Sequence, residues 1–469
     1  MQSIMNGKFV DYYELTMAQG YYLSGRYLKP ASFDYFFRKN PFQGGYTIFA
    51  GLSDFLEAIE HFTFSDEDCA YLLQSGLDKE FVDYLKNFSF KGNIYCAKEG
   101  EIVFPQEPVM RVEGNIMETQ LIETLLLNII NFQSLIATKA SRIRQAAGNR
   151  VLLDFGLRRA QGLGGLHASK AAIIGGFNGT SNVQSAFDYQ LKATGTMAHS
   201  WVQSYESEEN AFRDFARFFP ESCVLLIDTY DTLKSGIHHA IKIAKEMEKD
   251  GKKMLGIRLD SGDLAYLSKK TREILDQNEL YDVKIFTSNQ LDEYTIRSLM
   301  NQEAPIDGFG VGTNLVTGRD DAALDGVYKL NMFDQKPQIK TSDNIEKQTL
   351  PGVKKVIRYF DQNNRFYADA IVLNDEENPG MMIHPYHKEK SCKLEKMKSE
   401  NLLTKVVDDG KVILPKQSVQ QIAEYVKERF NLLPDEHKRF ENPHYYKVGI
   451  SKKLMDLRSD LIQNIRTNF

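Results

Sequence analysis

Residues 258–263, RLDSGD, place one arginine and two aspartates within a six-residue segment. A guanidinium can bind a phosphate through two parallel hydrogen bonds, and carboxylates accept hydrogen bonds from sugar hydroxyls. Arg258 and Asp260 are therefore candidates for holding a sugar diphosphate. The same segment supplies Ser261, Gly262 and Asp263 as further contacts. The structural alternative is a surface cluster of ion pairs, which is common and contributes little stability.

His199 ends the segment TGTMAH, whose small residues allow the backbone to approach whatever the imidazole contacts. The ring could serve as a base, a nucleophile or a metal ligand. No second histidine lies at a metal-ligand spacing in the sequence, which disfavours the third role. Asp228 ends a nearby apolar run and is a candidate for orienting the ring, because a carboxylate fixes the tautomer and stabilises an imidazolium. A purely structural histidine is the alternative.

Three further segments offer contacts to an aromatic or anionic ligand. The segment DFGLRRAQG supplies Phe155 for stacking and Arg158 for an anion, and GTSNV supplies the short donors Thr180 and Ser181. Helix caps or a solvated basic face explain these two segments equally well. The segment GFGVGT at 308–313 brings glycines where backbone N–H groups can approach a phosphate, but its spacing does not match the dinucleotide-binding fingerprint. A tight turn is its structural alternative.

The elements that must position these residues are short apolar runs, each of which ends in a polar or glycine-rich cluster. They lie at residues 151–156, 223–231, 254–263, 283–289 and 306–313. Such runs suit strands buried on both faces, and the stretches between several of them are long enough for helices. In a barrel of parallel strands the loops after the strands meet at one mouth. The polar residues at these strand ends are Asp154, Asp228, Asp231, Arg258, Asp260, Asp263 and Ser288. The sequence therefore predicts an α/β fold, an irregular TIM-like barrel, with a ligand site at its mouth.

The residues before this series follow a different pattern. Residues 32–38 and 92–114 carry short β-like runs with turn residues between them. A helix is predicted from about Thr119 to Gly148, where a glycine suits a left-handed C-cap. The N-terminal part is therefore predicted to be mixed and sheet-containing.

The residues after the series indicate a second return to sheet structure. Residues 356–373 are predicted to form a hairpin that turns at Gln362, Asn363 and Asn364. A return of this hairpin to the N-terminal sheet would make the smaller domain discontinuous. We therefore predict two domains. One is a mixed α+β domain of residues 1–118 with about 335–469, which includes a C-terminal helical extension, and the other is a barrel of residues 119–334.

The composition is that of an ordinary soluble protein, with 42% hydrophobic and 26% charged residues. A net charge of −5 gives no reason to expect binding to nucleic acid. The four cysteines are far apart and form no CxxC pair, which favours a reducing cytoplasm over a disulfide framework. The N-terminus lacks the pattern of a signal peptide, and the most apolar long stretch carries too many polar groups for a membrane span.

Ten segments, in this order along the chain, resemble the nicotinate phosphoribosyltransferase family. They are DYYELTMAQGYY, FFRKNPFQGGYTIFAGL, DFGLRRAQG, GTSNV, GTMAHSW, DTYDT, RLDSGDL, TSNQLDE, GFGVGTNLVT and KQTLPGVKKVIRYF. The resemblance extends from about residue 11 to about residue 375, and the remaining residues form a family-like C-terminal extension.

The resemblance implies the fold of the type II phosphoribosyltransferases and a homodimer whose active sites take residues from both subunits. It also implies the reaction. Nicotinate and phosphoribosyl pyrophosphate would give nicotinate mononucleotide and pyrophosphate, the first step of NAD salvage from nicotinate. ATP hydrolysis would be coupled to this step through a phosphorylated histidine, with Mg²⁺ present.

The resemblance also assigns roles to individual residues. His199 matches the phosphorylated histidine and Asp228 its orienting carboxylate. Phe155 matches one wall of a sandwich around the pyridine ring, and Tyr13 the wall contributed by the neighbouring subunit. Arg158 matches a contact to the substrate phosphate or base. The phosphoribosyl group is matched by Arg258 and Asp260, and its 5′-phosphate by Gly310, Gly312 and Thr313. The resemblance does not identify the Mg²⁺ ligands, and Asp260 and Asp263 are open to either metal or sugar binding.

Ser181 favours nicotinate over its close relative nicotinamide. The nicotinamide-using enzyme has an aspartate at the similar position, and a carboxylate there would face the nicotinate carboxylate as a buried like-charge pair. Serine can donate instead. Three alternatives stay open: a nicotinamide phosphoribosyltransferase, a quinolinate phosphoribosyltransferase, and a catalytically silent ligand-binding relative. A phosphoryl-accepting histidine would have no task in the quinolinate enzyme, which needs no ATP.

Overall fold

The computed structural model describes residues 5–342, 347–387 and 389–467. The chain divides into two compact units. The first comprises residues 1–138 with 323–469, and the second comprises residues 139–322.

The N-terminal part of the first unit combines helices with short strands. Its elements are α1 (Tyr12–Leu23), β1 (Pro30–Phe37), β2 (Thr47–Ile48), α2 (Leu52–Glu60), α3 (Asp66–Gln74), α4 (Lys79–Leu85), β3 (Asn93–Cys96), β4 (Ile102–Val103), β5 (Met110–Asn115), α5 (Ile116–Leu121) and α6 (Glu123–Ala147). The predicted helix start near Thr119 lies inside α5, and the predicted end is confirmed because Gly148, with a φ of +60°, follows α6 directly.

The second unit alternates short strands with helices. Its elements are β6 (Val151–Asp154), α7 (Leu163–Ile174), β7 (Gly179–Thr180), α8 (Val183–Asp188), α9 (His199–Gln203), α10 (Glu208–Phe218), β8 (Val224–Leu226), α11 (Ile237–Lys249), β9 (Gly256–Leu259), α12 (Leu264–Gln277), β10 (Lys284–Thr287), α13 (Glu293–Asn301), β11 (Gly308–Val311) and α14 (Thr313–Val316). Each of the five apolar runs forms a strand, as predicted.

The strands of the second unit form one parallel sheet in the order β7-β6-β11-β10-β9-β8. Its core includes Leu225, Ile257 and Ile285 from the strands, packed with Phe212 and Ile243 from the helices. Within residues 139–322, all of which are described, no ladder joins β7 to β8, so the sheet is irregular and open there. Because the strands are parallel, their carboxyl ends and the loops that follow lie on one edge of the sheet. The predicted α/β fold class is confirmed.

The C-terminal part of the first unit is rich in strands. Its elements are β12 (Gly326–Phe333), β13 (Lys336–Pro337), β14 (Lys354–Phe360), β15 (Phe366–Leu373), β16 (Met381–Ile383), β17 (Ser391–Lys393), β18 (Ser399–Asn401), β19 (Thr404–Asp408), β20 (Lys411–Val412), α15 (Val419–Leu432), β21 (Val448–Ser451) and α16 (Lys452–Thr467). The strands of this unit form sheets of seven (β13-β12-β1-β5-β3-β19-β20), six (β17-β16-β21-β15-β14-β18) and two (β2-β4) strands. The separate mixed-sheet unit is therefore also confirmed.

The predicted hairpin at 356–373 is present as β14 and β15, but it does not join the N-terminal sheet. Its two edges are occupied by β18, which pairs antiparallel with β14, and by β21, which pairs parallel with β15. These C-terminal strands satisfy the backbone groups that would otherwise pair with the N-terminal sheet. The strands that do return to that sheet are β12, β13, β19 and β20.

The boundaries between the units differ from the predicted ones at residues 119 and 335. β12 pairs along its length with β1, which places residues 326–333 in the first unit. The first half of α6 also belongs there, since Ser134 and Thr138 accept hydrogen bonds from the backbone N–H groups of Ala50 and Ile48 at 3.0 and 2.9 Å. Among the described residues, the helices are all too short or too polar to cross a membrane.

Candidate active site

Asp154, at the end of β6, organises the loops on one side of the site. Its carboxylate is fully buried and accepts hydrogen bonds from the hydroxyls of Ser169 and Thr180, both at 2.7 Å, and from the N–H of Gly156 at 2.8 Å. Burial raises the pKa of Asp154, and these three donors oppose the rise. Thr180, predicted as a substrate contact, is itself fully buried and its hydroxyl is used by Asp154. It therefore holds the loop instead of facing the open edge.

The glycines of the predicted phosphate loop make room for Phe155. A Cβ at Gly310 would lie 2.4 Å from the Phe155 ring, and one at Gly312 would lie 3.1 Å from the Phe155 carbonyl oxygen. The ring is half-buried, and the Cζ of Arg258 lies 6.0 Å from its centroid. Gly310 is thus explained by aromatic packing, whereas Gly312 and the exposed Thr313 lie at the start of α14.

Arg258 fixes the loop that leads to the histidine. Its guanidinium donates to the hydroxyl of Thr196 and, at 2.8 Å, to the carbonyl of Met197. Its Nε has no hydrogen-bond partner among the described residues. Burial lowers the pKa of Arg258, while the charges of Asp260 and Asp228 oppose that effect. One N–H of this predicted phosphoribosyl contact is therefore buried without a partner among the described residues.

His199 is the first residue of α9 and is half-buried. Its Nδ1 lies 3.1 Å from the hydroxyl of Thr229, and its Nε2 lies 3.8 Å from a carboxylate oxygen of Asp260. In this structure the ring contacts Thr229 and Asp260, so the orienting role of Asp228 stays a prediction. Asp228 instead accepts hydrogen bonds from the N–H of Asp260 at 2.8 Å and from the hydroxyl of Ser261 at 2.7 Å.

Asp260 and Asp263, equivalent in the sequence argument, have different surroundings. Asp260 accepts a hydrogen bond from the hydroxyl of Ser288 and presents its other oxygen to His199. Asp263 is the N-cap of α12 and accepts from the N–H of Tyr266 at 3.0 Å. Gly262 adopts a φ of +78°, which lets the chain turn between them. Asp263 thus caps α12 through one oxygen, and its contact to a ligand stays a prediction.

Two residues of this cluster were missed or left without a role. Thr229 directly follows Asp228, and only the pairing of the loops shows that the threonine reaches the ring. Ser288 belongs to a polar segment after β10, and its position at a strand end was the available signal. Thr229 supplies a hydroxyl to the imidazole of His199, and Ser288 supplies one to the carboxylate of Asp260.

Ser181 and Arg158 are two predicted contacts that remain accessible. Ser181 is half-buried after β7, and its N–H donates to the carbonyl of Asp154 at 2.8 Å. Arg158 is exposed on a short 3₁₀ turn, Leu157–Arg159. Tyr13 lies in the first unit on α1, where it is half-exposed and its phenol hydrogen-bonds to Glu123.

Within the described residues, no group of three or more histidine, cysteine, aspartate or glutamate side chains is arranged to hold a metal ion. Oδ1 of Asp228, a buried carboxylate oxygen at a strand end, nevertheless has no hydrogen-bond partner among the described residues. The Asp260 oxygen that faces His199 lies 3.8 Å from Nε2 of the ring. Hard cations such as Mg²⁺ bind one or two carboxylates and keep water or substrate phosphates as other ligands. The donors present fit that kind of open site.

Comparison with known proteins identifies the family of this chain. Models of the nicotinate phosphoribosyltransferase N-terminal domain, family and C-terminal domain match residues 9–131, 151–378 and 353–458. A nicotinate phosphoribosyltransferase of Bacillus subtilis is 42% identical over 97% of this chain and 95% of its own length. One of Caenorhabditis elegans is 36% identical over 96% of this chain and 92% of its own length. The crystal structure of the human nicotinic acid phosphoribosyltransferase matches with a TM-score of 0.86 and 28% identity, over 96% of this chain and 99% of that one. The chain belongs to the nicotinate phosphoribosyltransferase family.

Proposed function

We propose that this chain condenses nicotinate with 5-phosphoribosyl 1-pyrophosphate to give nicotinate mononucleotide and pyrophosphate, coupled to ATP hydrolysis. The observation that carries the proposal is His199, which lies half-buried between Thr229 and Asp260 where the parallel strands end. The names of the relatives from B. subtilis and C. elegans support the same activity. The reaction would be the first step of NAD salvage from nicotinate.

In the proposed transfer, the ring nitrogen of nicotinate attacks the anomeric carbon of the phosphoribosyl group. The bond from that carbon to pyrophosphate breaks, and pyrophosphate leaves with the bonding electron pair. Because positive charge develops on the sugar, fixed carboxylates stabilise the transition state more than the ground state. We assign this task to Asp260. Arg258, whose buried Nε–H has no partner among the described residues, is assigned to the phosphoribosyl phosphates.

In the proposed ATP coupling, a ring nitrogen of His199 attacks the γ-phosphorus of ATP and ADP leaves. Water later hydrolyses the phosphohistidine to histidine and phosphate. The phosphoryl group adds negative charge and acceptor oxygens beside the strand ends, which can order the neighbouring loops and tighten substrate binding. Thr229 and Asp260 hold the ring from its two nitrogen sides.

The unpartnered Oδ1 of Asp228 is the group that we propose for Mg²⁺. When bound there with substrate, the ion would neutralise charge on the pyrophosphate leaving group. Asp228 also keeps the backbone of Asp260 in place through its other oxygen.

Ser181 is the reason to propose nicotinate instead of nicotinamide as the base. Its side chain is half-buried, and its hydroxyl can donate to the nicotinate carboxylate. We propose that Phe155 stacks on the pyridine ring from one side and that a second copy of the chain contributes its Tyr13 on the other, so that the enzyme acts as a homodimer. All four cysteines lie in the described part of the chain and are free thiols, which fits a reducing compartment such as the cytoplasm.

One assay tests this function against its alternatives. The protein is mixed with phosphoribosyl pyrophosphate, Mg²⁺ and nicotinate, nicotinamide or quinolinate, with and without ATP, and mononucleotide is measured. We expect product from nicotinate at the highest kcat/KM, with ATP consumed during turnover. Preference for nicotinamide, release of CO₂ from quinolinate, or the absence of any product would each contradict the proposal.

A further inference from the structure

The side chains around His199 form a chain of contacts across three neighbouring strands. Thr229 follows β8, Asp260 follows β9 and Ser288 follows β10, and these strands are adjacent in the sheet. Thr229 contacts Nδ1 of His199, Asp260 faces Nε2, and Ser288 donates to the far oxygen of Asp260. This geometry places Ser288, the serine of the TSN segment, beside Asp260. The sequence alone indicated no role for this segment.

Ser288 is held firmly enough in the structure to fix the orientation of the Asp260 carboxylate that it contacts. Its side chain is buried, with 4% exposure of the residue, and its N–H donates to the carbonyl of Leu259 at 2.9 Å. The Asp260 side chain is 38% exposed and would otherwise be free to rotate toward water. Its backbone N–H is already held by Asp228. The hydroxyl of Ser288 therefore fixes the one part of Asp260 that the backbone leaves free.

We propose that Ser288 is a positioning residue for the His199–Asp260 pair. With one oxygen of Asp260 held by Ser288, the other stays directed at Nε2 and favours a proton on that nitrogen, while the hydroxyl of Thr229 donates to Nδ1. A carboxylate held in this way needs no reorganisation when charge develops on the ring or the sugar, which lowers the barrier. The inference rests on the proposed function for its kinetic consequence, but the geometric consequence is independent of it.

The residue directly before Ser288 offers a matched control. Thr287 is fully buried, and its hydroxyl has no hydrogen-bond partner among the described residues. Thr287→Val removes a hydroxyl at nearly constant shape and leaves the contact to Asp260 intact. Ser288→Ala removes the hydroxyl that makes the contact.

The first measurement follows the ring of His199 without any substrate. The protein is labelled with ¹⁵N-histidine, and the ring nitrogens of His199 are assigned by comparison with His199→Gln. We expect Ser288→Ala to shift these signals, because Asp260 moves away from Nε2, and Thr287→Val to leave them in place. Unchanged signals in Ser288→Ala would overturn the proposal, whether or not the protein makes mononucleotide.

The second measurement is a double-mutant cycle on the rate of mononucleotide formation. We expect Ser288→Ala to lower kcat roughly tenfold, the factor for one lost hydrogen bond to a charged group, with KM for nicotinate unchanged. In an Asp260→Ala background the same substitution should cost less than about twofold, because the serine acts through the aspartate. Additive losses would show a general structural role and would also overturn the proposal. An inactive wild-type protein would contradict the proposed function and leave the labelled-histidine result to decide the positioning role.

Discussion

Three aspartates at the ends of parallel strands do three different things in this site. Asp154 is fully buried and satisfied by three donors, and Asp228 holds the turn that follows β9. Asp260 alone presents an oxygen to the imidazole of His199. The three aspartates therefore have different tasks because they differ in burial and in the hydrogen-bond donors around them. Asp154 builds the site, Asp228 builds it through one oxygen and keeps the other for the proposed cation, and Asp260 is placed to act on a ligand.

Ser181→Asp should shift the preference of the enzyme from nicotinate toward nicotinamide. An aspartate would place a carboxylate against the nicotinate carboxylate, a like-charge pair whose desolvation opposes binding, whereas it accepts a hydrogen bond from an amide NH₂. We expect the ratio of kcat/KM for the two bases to change by on the order of 100-fold, about 3 kcal/mol. A competition assay with both bases measures the ratio. Ser181→Ala is the control, since it removes the donor without adding charge and should gain nothing for nicotinamide. Unchanged preference for the acid would disprove the assignment of Ser181.

His199→Ala should leave the fold intact and uncouple ATP hydrolysis from product formation. The residue is half-exposed, so its loss removes little packing, but no other ring nitrogen replaces its contacts to Thr229 and Asp260. We expect ATP consumption per mononucleotide to fall at least about tenfold. Parallel measurement of ADP and mononucleotide tests this, with His238→Ala, an exposed histidine on α11, as control. A His199 variant that still consumes one ATP per turnover would contradict it.

The identity of these residues could be predicted from the sequence, but their partners could not. Apolar runs indicate where a strand ends, and His199, Arg258 and Asp260 were found in this way or by resemblance. Which side chain of a strand-end loop faces which neighbour depends on loop conformation. Asp228 and Thr229 are adjacent in the chain, and the hydroxyl of the second makes the contact that was assigned to the carboxylate of the first.

At the scale of elements, the parallel sheet was predictable because its strands are continuous apolar runs with helices between them. The first unit was harder, since its short strands pair over long separations in sequence. β1 pairs with β12, almost 300 residues later in the chain, and β3 pairs with β19. Alternation of apolar residues predicts a strand but does not choose its partner when several edges are available. The hairpin β14–β15 was accordingly found in the sequence and assigned to the wrong sheet.

The packing of α1 against α6 should become weaker as the pH rises. Burial of the Glu14 carboxyl, reinforced by the charge of Glu123, raises its pKa to about 8, although hydrogen bonds from Thr124 oppose the rise. An unfolded glutamate has a pKa of about 4.3, so between these values the folded state binds a proton that the unfolded state lacks. The contribution of protonated Glu14 to the free energy of unfolding is therefore at its full value below about pH 4.3. It is lost as the pH rises through the pKa that Glu14 has in the folded state.

Glu14→Gln tests this dependence because it keeps the shape of the side chain and removes the titration. We expect the variant to gain stability relative to the parent protein as the pH increases from 5 to 9, by at most ~1.4 kcal/mol per pH unit. Thermal or urea unfolding of both proteins at several pH values gives the difference. Parallel pH profiles for the two proteins would refute the assignment.

At the scale of the whole chain, the C-terminal residues complete the first unit. β19 and β20 extend its seven-stranded sheet, and α15 supplies buried polar groups to residues from the N-terminal part. Glu101 accepts hydrogen bonds from Arg358 at 2.7 Å, from Arg429 at 2.9 Å and from Tyr425 at 2.6 Å. Arg358 also binds Asp369. Residues separated by more than 300 positions thus form one buried ionic network, which gives the C-terminal region a structural task that the sequence did not indicate.

Arg429→Met should destabilise the first unit without touching the parallel sheet of the second. Arg429 is 7% exposed, and its loss leaves the buried carboxylate of Glu101 with one cation instead of two and Glu400 without its partner. Removing one partner of a buried ion pair costs about 3 kcal/mol or more, because the remaining charge stays desolvated. We expect a lower unfolding temperature for the variant, and near-normal kcat at temperatures where it is folded. Arg439→Met, at an exposed position beyond α15, is the matched control and should unfold with the parent protein. Equal stability of the two methionine variants would mean that the C-terminal helix is not held by this network.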